Sequence, residues 1–342
     1  MINGDLCHEL LLQKITPELC FKENCDLTEY IKQLKEKFVS LTGLDKIPLN
    51  ACEPDFKIVS KEDRGEYVIY RFEFFSEKGE RVPCYLLVPK TGRKKYPVAI
   101  TLQGHVSGFH NSIGIAKYKG DEDGLERRSM SLQAVKNGYV ALAIEQRGLG
   151  ERKPTLEKRG GNVNCRFASF TAISMGRTLI GERVWDVSRA IDMLNNFPEC
   201  DTDKIFVTGQ SGGGTTAYYV AVTDERIKLS APSCAFCTYK KSVLDILHCE
   251  CNQIPGGINY FEMQDLSALI APRKLIVIAG KNDDIFPIDG VKEGFETVKR
   301  IYEKSGVPEN CRLEITPDNH LWRTDIVWKA INEETAKFGW RD

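Results

Sequence analysis

The chain lacks most of the features that would place it in a specialised class. It carries 47 basic and 48 acidic side chains in 342 residues, a formal net charge of −1. With no excess of one sign, no global field draws in nucleic acid or an anionic membrane. The one local basic run, "GRKKYP" at 92–97, is short and reads as a solvated turn before a strand. No apolar run nears the roughly 18 residues needed to span a bilayer. The opening "MINGDLCHELLLQKI" has Asp5 and Glu9 and only a three-leucine run. A secretory leader needs a basic start and a longer apolar segment, so a cytoplasmic protein is expected. There is no internal repeat and no low-complexity tract. Histidine is scarce, five in all, which makes a short list of candidates for any imidazole base.

Cysteine is plentiful, with twelve residues. Their irregular spacing and the missing leader argue for reduced thiols packed as small apolar groups, not for a disulfide framework. "CAFC" (Cys234, Cys237) and "CEC" (Cys249, Cys251), beside His248, raise the question of zinc. The single residue inside the second pair is poor spacing for a zinc knuckle. The expectation is therefore no metal and no cofactor, with thiols lining a lid or pocket.

Three regions follow one another along the chain. Residues 1–60 read as a helical extension. Within it "DLTEYIKQLKEKFVSLTG" offers Asp26 or Thr28 as a cap, Tyr30, Ile31, Leu34, Phe38 and Leu41 near helical spacing, and Gly43 as a stop. This arm is expected to cap the domain or to pack against a second copy in a homo-oligomer. "EYVIYRFEFF" and "VPCYLLVPK" then read as an antiparallel hairpin across the turn-like "SEKGE". Beyond it, runs at 96–102, 139–145, 204–209, 227–232, 273–280 and 311–317 are short and apolar on both faces, as strands covered on both sides must be. Helical stretches alternate with most of them, the clearest being Thr178 to Phe197. The pattern predicts an α/β fold over 61–342, with a mainly parallel, doubly wound sheet and helices on both faces. Connections near 106–127, 150–177 and 233–268 are too long for plain loops and are expected to shape a site.

The chemistry centres on "KIFVTGQSGGGTTAYYVAV" (204–222). G-x-S-x-G is a weak pattern alone, but here it directly follows an apolar strand and precedes a helix-compatible run. Ser211 is the candidate nucleophile. It needs a base, and the base needs an orienting acid. Loops after parallel strands gather at one edge of a doubly wound sheet. His320, just past the last strand, comes to that edge, as do Asp283 and Asp284 after the strand at 273–280. The order serine, acid, histidine is that of the α/β-hydrolase arrangement. The oxyanion would be met by the backbone N–H of Gly212 and by that of His105 in "LQGHVSG", where Gly104 permits close approach. Gln210, Phe109, Phe286 and Trp322 are candidates for the pocket. Arg147 is expected to anchor a loop through ion pairs.

These residues resemble the α/β-hydrolase superfamily, and more narrowly its acetyl xylan esterase and dienelactone hydrolase-like branch. The resemblance covers about residues 65–340. It rests on "LQGHVSG", "IEQRGLGER", "GRTLIGERVWDVSRAIDML", "DKIFVTGQSGGG", "LIAPRKLIVIAGKNDDIFP" and "PDNHLW". In such families the acid stands three residues after the strand-ending glycine and four before a proline. Gly280 and Pro287 therefore select Asp283 over Asp284. The resemblance implies hydrolysis of small carboxylic esters, often acetyl groups on sugars, with no cofactor. The chain departs from sugar deacetylases at Arg147-Gly148-Leu149, Ser211-Gly212-Gly213 and His320-Leu321, and it has serine where dienelactone hydrolases proper use cysteine. Two rivals stand beside an esterase. One is a peptidase or amidase on the same fold; the other is a non-catalytic binding protein that kept the fold.

Overall fold

The computed structural model describes residues 4–154 and 165–340; the part of the second excursion at 155–164 lies outside them. Nine strands form one sheet: β1 (Lys57–Asp63), β2 (Tyr67–Glu77), β3 (Glu80–Pro89), β4 (Tyr96–Leu102), β5 (Val140–Ile144), β6 (Cys200–Gln210), β7 (Ile227–Ser233), β8 (Lys274–Gly280) and β9 (Cys311–Thr316). Their order is β1-β2-β3-β5-β4-β6-β7-β8-β9. The first three strands run antiparallel to their neighbours, and β5 through β9 are joined by parallel ladders. The predicted hairpin is β2–β3, with Tyr67 opposite Pro89 and Phe75 opposite Arg81.

Nine α-helices accompany the sheet among the described residues: α1 (Leu6–Lys14), α2 (Leu27–Thr42), α3 (Leu125–Arg128), α4 (Met130–Lys136), α5 (Cys165–Ser174), α6 (Leu179–Met193), α7 (Gly212–Thr223), α8 (Ile288–Lys304) and α9 (Thr324–Lys337). They divide between two apolar layers. One face of the sheet packs on Val184, Val187 and Ile191 of α6, on α7, and on Val291, Val298 and Ile301 of α8. The other packs on Met130 and Ala134 of α4 and Val327, Trp328 and Ile331 of α9. Strands β4, β5 and β8 are buried along their whole length, which is why they read as unbroken apolar runs.

Helix α2 forms as its sequence dictates. Asp26 accepts a hydrogen bond from the Glu29 N–H, and Gly43 closes the helix in the left-handed region at φ 74°. Tyr30, Leu34 and Phe38 lie four apart on one face and enter the same apolar layer as α6 and α7. Phe38 meets Tyr219 and Phe261 at 5.4 and 6.1 Å between ring centroids. The extension thus places its apolar face inside its own chain. Arg147 anchors its loop as expected, pairing at 2.7 Å with Glu77 and 2.8 Å with Asp186, all three buried.

Candidate active site

The last strand-to-helix turn before β7 is strained. Ser211 sits between β6 and α7 at φ 56°, ψ −127°, a conformation that side-chain-bearing residues avoid unless their surroundings impose it. The imposition comes from close packing of backbones. A Cβ on Gly209 would stand 2.6 Å from the Gly213 carbonyl carbon and from the Leu102 oxygen. One on Gly104 would stand 3.2 Å from the Ser211 Cβ. Glycine at these positions lets β4, β6 and the first turn of α7 converge, with Ser211 held at the apex. Gly212 opens α7, so its N–H points out of a helix N-terminus.

The acid and base arrive from the ends of the last two strands, β8 and β9. Asp283 Oδ2 meets His320 Nδ1 at 2.8 Å, while its Oδ1 accepts the N–H groups of Ile285 and Phe286 at 2.9 and 3.0 Å. Burial alone would raise the Asp283 pKa, but the His320 hydrogen bond and charge and the two backbone donors hold it below the ordinary carboxylate value. Asp284 is exposed. Gly280 makes the meeting feasible: a Cβ there would lie 2.9 Å from the Asn319 carbonyl carbon, in the loop that carries His320. The Phe286 ring stacks on the His320 ring at 5.9 Å and 12°. The imidazole is thereby fixed on one side by an acid and on a face by an aromatic, and Nε2 has no hydrogen-bond partner among the described residues.

Ser211 and His320 open on one pocket of about 350 Å³, shared with His105, Gln210, Arg127, Arg128 and Trp322. No hydrogen bond joins the serine to the imidazole among the described residues. In unliganded hydrolases that bond often tightens only once substrate is bound. Gln210 donates to the His320 carbonyl at 3.2 Å, which ties the nucleophile turn to the base loop.

Of the pocket candidates, Gln210 and Trp322 line the pocket, whereas Phe109 and Phe286 do not. Phe109 is not at the mouth; it is fully buried on the Tyr85 ring, at 4.7 Å, and its N–H points to Glu145. Phe286 is buried and serves His320 instead of substrate. Trp322 borders the pocket but is 3% exposed, its indole N–H donated to Gln133 at 2.9 Å. Aromatic residues in a long excursion look alike in sequence whether they face a pocket or fill the layer beneath it. Val106, Arg127, Arg128, Ile285 and Leu321 line the pocket without having been singled out; for the two arginines the only hint was their place at the end of the 106–127 excursion.

The cysteines also sort differently from expectation. Cys234 lies under Asp283, its thiol pushed by burial up to about 12, and Cys237 hydrogen-bonds toward the Pro287 carbonyl at 3.7 Å. Neither joins Cys249 and Cys251. Those two instead meet Cys165 and the ring of His105: Cys165 to Cys249 at 2.9 Å, Cys249 to Cys251 at 3.2 Å, and His105 Nε2 to Cys251 and Cys165 at 3.2 and 3.4 Å. The His105 ring also lies against Gly212, where an added Cβ would come within 2.8 Å of its Cε1.

A strained serine between a parallel strand and a helix, with acid and histidine delivered in that order from the last two strands, is the layout of an α/β-hydrolase. A family model described as the Abhydrolase family matches residues 4–229, about two thirds of the chain. The chain belongs to that α/β-hydrolase family. It is 24% identical over 274 residues to a Bacillus subtilis (strain 168) protein named "Putative hydrolase YtaP", covering 79% of this chain and 88% of that one. Its fold is similar to a crystal structure titled "putative acetyl xylan esterase (BF1801)" from Bacteroides fragilis NCTC 9343, with TM-score 0.80 and 16% identity over 98% of this chain and 95% of that one. It is also similar to a glucuronoyl esterase from Solibacter usitatus, with TM-score 0.65 and 15% identity over 94% of this chain and 98% of that one. No helix among the described residues is long and apolar enough to cross a membrane.

Proposed function

We propose that the protein is a serine-dependent carboxylic ester hydrolase acting on small esters or acetylated sugars through an acyl-enzyme. Ser211 attacks the acyl carbon as His320 Nε2 takes its proton. Asp283 holds the imidazole in the tautomer with the proton on Nδ1 and stabilises the imidazolium that forms. The N–H groups of Gly212 and His105 receive the developing oxyanion. His320 then protonates the leaving alcohol, and water, activated by the same imidazole, releases the acid. The scheme asks for no cofactor. The 2.8 Å bond from His320 to Asp283, on a pocket that also holds the strained Ser211, is the observation that carries this reading.

The test is p-nitrophenyl acetate turnover with Ser211→Ala as control. Alanine keeps the Cβ and the fold, so kcat is expected to fall by at least ~10³, leaving the thermal midpoint unchanged. Retained turnover, or failure of a fluorophosphonate probe to label Ser211, would end the proposal and favour a non-catalytic role. A parallel panel of peptide amides tests the peptidase rival.

One observation favours a second substrate class. Arg127 and Arg128 give the pocket a cationic wall, and no ion pair neutralises either among the described residues. A carboxylate on the sugar, as in an ester of a sugar acid, would meet that wall. Replacing Arg127 by Gln should then raise KM for such an ester ~3- to 10-fold, the weight of one partly exposed charge contact, and leave a neutral acetylated sugar unchanged. Equal effects on both would discard the acidic substrate. We further read the chain as one catalytic domain over 61–342 carrying the 1–60 extension, at work in the reducing cytoplasm.

A further inference from the structure

We propose that His105, Cys165, Cys249 and Cys251 form a zinc site that ties the turn after β4, which lines the pocket through His105, to the second and third excursions. The four donor atoms lie within 4.8 Å of one another. Three sulfurs and one imidazole nitrogen are the donor set of closed, tetrahedral zinc sites. With Zn–S near ~2.3 Å, the sulfur–sulfur edges of such a tetrahedron are ~3.8 Å. The observed edges of 2.9 and 3.2 Å would have to open by less than ~1 Å to admit the ion. They are too long for a disulfide, whose sulfurs stand ~2.05 Å apart.

Charge supplies a second, independent observation. Arg183 is fully buried; its Nε and one terminal nitrogen donate to the Arg147 carbonyl at 3.0 and 2.9 Å. The other terminal nitrogen has no oxygen or nitrogen acceptor among the described residues, and the guanidinium stands against the three sulfurs, Cys251 foremost. No carboxylate pairs with it among the described residues. A buried cation with no carboxylate partner calls for negative charge from the sulfurs it faces, and metal-bound thiolates supply it. Three thiolates, a neutral imidazole and a dication sum to −1, and Arg183 brings the cluster to zero. The charge of this buried corner balances when zinc is present.

The ligands come from segments 60 and 84 residues apart, so the one-residue gap in "CEC" is no obstacle: no knuckle is being built. With four protein ligands there is no open position, and the ion is structural, not a Lewis acid for substrate. Its consequence for the reaction runs through His105. The ring would be pinned by the metal while the backbone N–H of the same residue serves the oxyanion, a link that rests on the esterase reading.

The experiment measures zinc in the full-length protein, purified under reducing conditions, by inductively coupled plasma mass spectrometry. One zinc per chain is expected. Cys249→Ser and Cys251→Ser should lose at least ~90% of it, and Cys237→Ser, outside the cluster, none. To separate loss of metal from loss of fold in the serine variants, the wild-type protein is also stripped with a chelator and titrated with Co²⁺. Intense thiolate-to-cobalt charge transfer and tetrahedral d–d bands are expected, lost stepwise as zinc is added back. A wild-type protein that purifies without metal and binds neither ion overturns the site, as does a Cys165–Cys249 disulfide found by peptide mass. Zinc-loaded protein without esterase turnover would keep the site and discard the esterase.

Discussion

The two walls beside Ser211 are made of opposite materials. On one side oxygen and nitrogen groups meet at the ends of β8 and β9, with Asp283, His320 and the stacked Phe286 joined by bonds of ordinary length. On the other side sulfur dominates: Cys165, Cys249 and Cys251 close around His105. The first wall is positioned by the sheet, since parallel strands must deliver their loops to one edge. The second is positioned by excursions that have few regular elements, and something other than a ladder of hydrogen bonds must hold it. Position by topology makes a wall rigid at little cost; position by side chains makes it depend on their chemistry.

The sharpest way to break the first wall is Asp283→Asn. The amide still reaches His320 but favours the wrong tautomer, so kcat on p-nitrophenyl acetate should fall ~10²- to 10⁴-fold with KM nearly unchanged. Asp284→Asn, one residue away but exposed, should leave kcat within about twofold. If the two variants behave alike, Asp283 is not the orienting acid. The depressed Asp283 pKa adds a pH signature. The stability from its ion pair is present above the unfolded carboxylate value, near ~3.9, and is lost as pH falls through the lower folded value.

Breaking the second wall should cost less in rate and more in stability. Cys165→Ser removes one sulfur from the cluster without touching the sheet edge. We expect kcat to fall only ~10-fold, through loosening of the His105 turn, while the thermal midpoint drops by several degrees. Proteolysis should also cut first within the 233–268 excursion. A variant as inactive as Asp283→Asn but with an unchanged melt would mean that sulfur takes part in the chemistry, and the contrast between the walls would collapse.

The same contrast explains what the sequence made legible. Strands β4, β5 and β8 were readable because burial on both faces forces apolar runs, and the order of Ser211, Asp283 and His320 followed from which strands precede them. Asp283 was preferred to Asp284 only through the family resemblance; the structure adds that Gly280 lies close against the loop that carries His320. Strand β1 went unread: "KIVSKED" is exposed along its length and is an edge held only by its ladder to β2. The start of β6 at Cys200–Asp203, paired with Tyr96 and Pro97, went unread because its three polar residues after Cys200 break the apolar run. Cys165 had no partner within reach along the chain, so no spacing rule could join it to Cys249 and Cys251. Clusters assembled by excursions leave no period to detect.

A smaller effect tests what supports the sulfur wall from below. Glu145, fully buried at the end of β5, accepts from Gln103 at 2.7 Å and from the N–H groups of Phe109 and Glu151 at 3.3 and 3.2 Å. Gln103 immediately precedes the Gly104-His105 turn. Burial pushes the Glu145 carboxyl up to about 7, against the pull of those N–H donors. A raised carboxyl pKa means that the folded chain binds this proton more tightly than the unfolded chain. The resulting stability is present at acid pH, declines as pH rises from about 4.5 to about 7, and is gone above that. The whole shift corresponds to at most ~3.5 kcal/mol, and relaxation around the ionised group should bring it nearer ~1–2 kcal/mol. Glu145→Gln is neutral and of the same shape, so the difference between its urea unfolding free energy and that of the wild type should vary with pH over this window. Taking the difference cancels Glu262 and Asp265, whose carboxyls burial also raises, to about 7 and 6. The variant should match the wild type near pH 5 and exceed it near pH 8, with turnover changed less than about twofold. Parallel curves across the range would mean that Glu145 stays ionised, and that the turn bearing His105 rests on a carboxylate instead of a carboxylic acid.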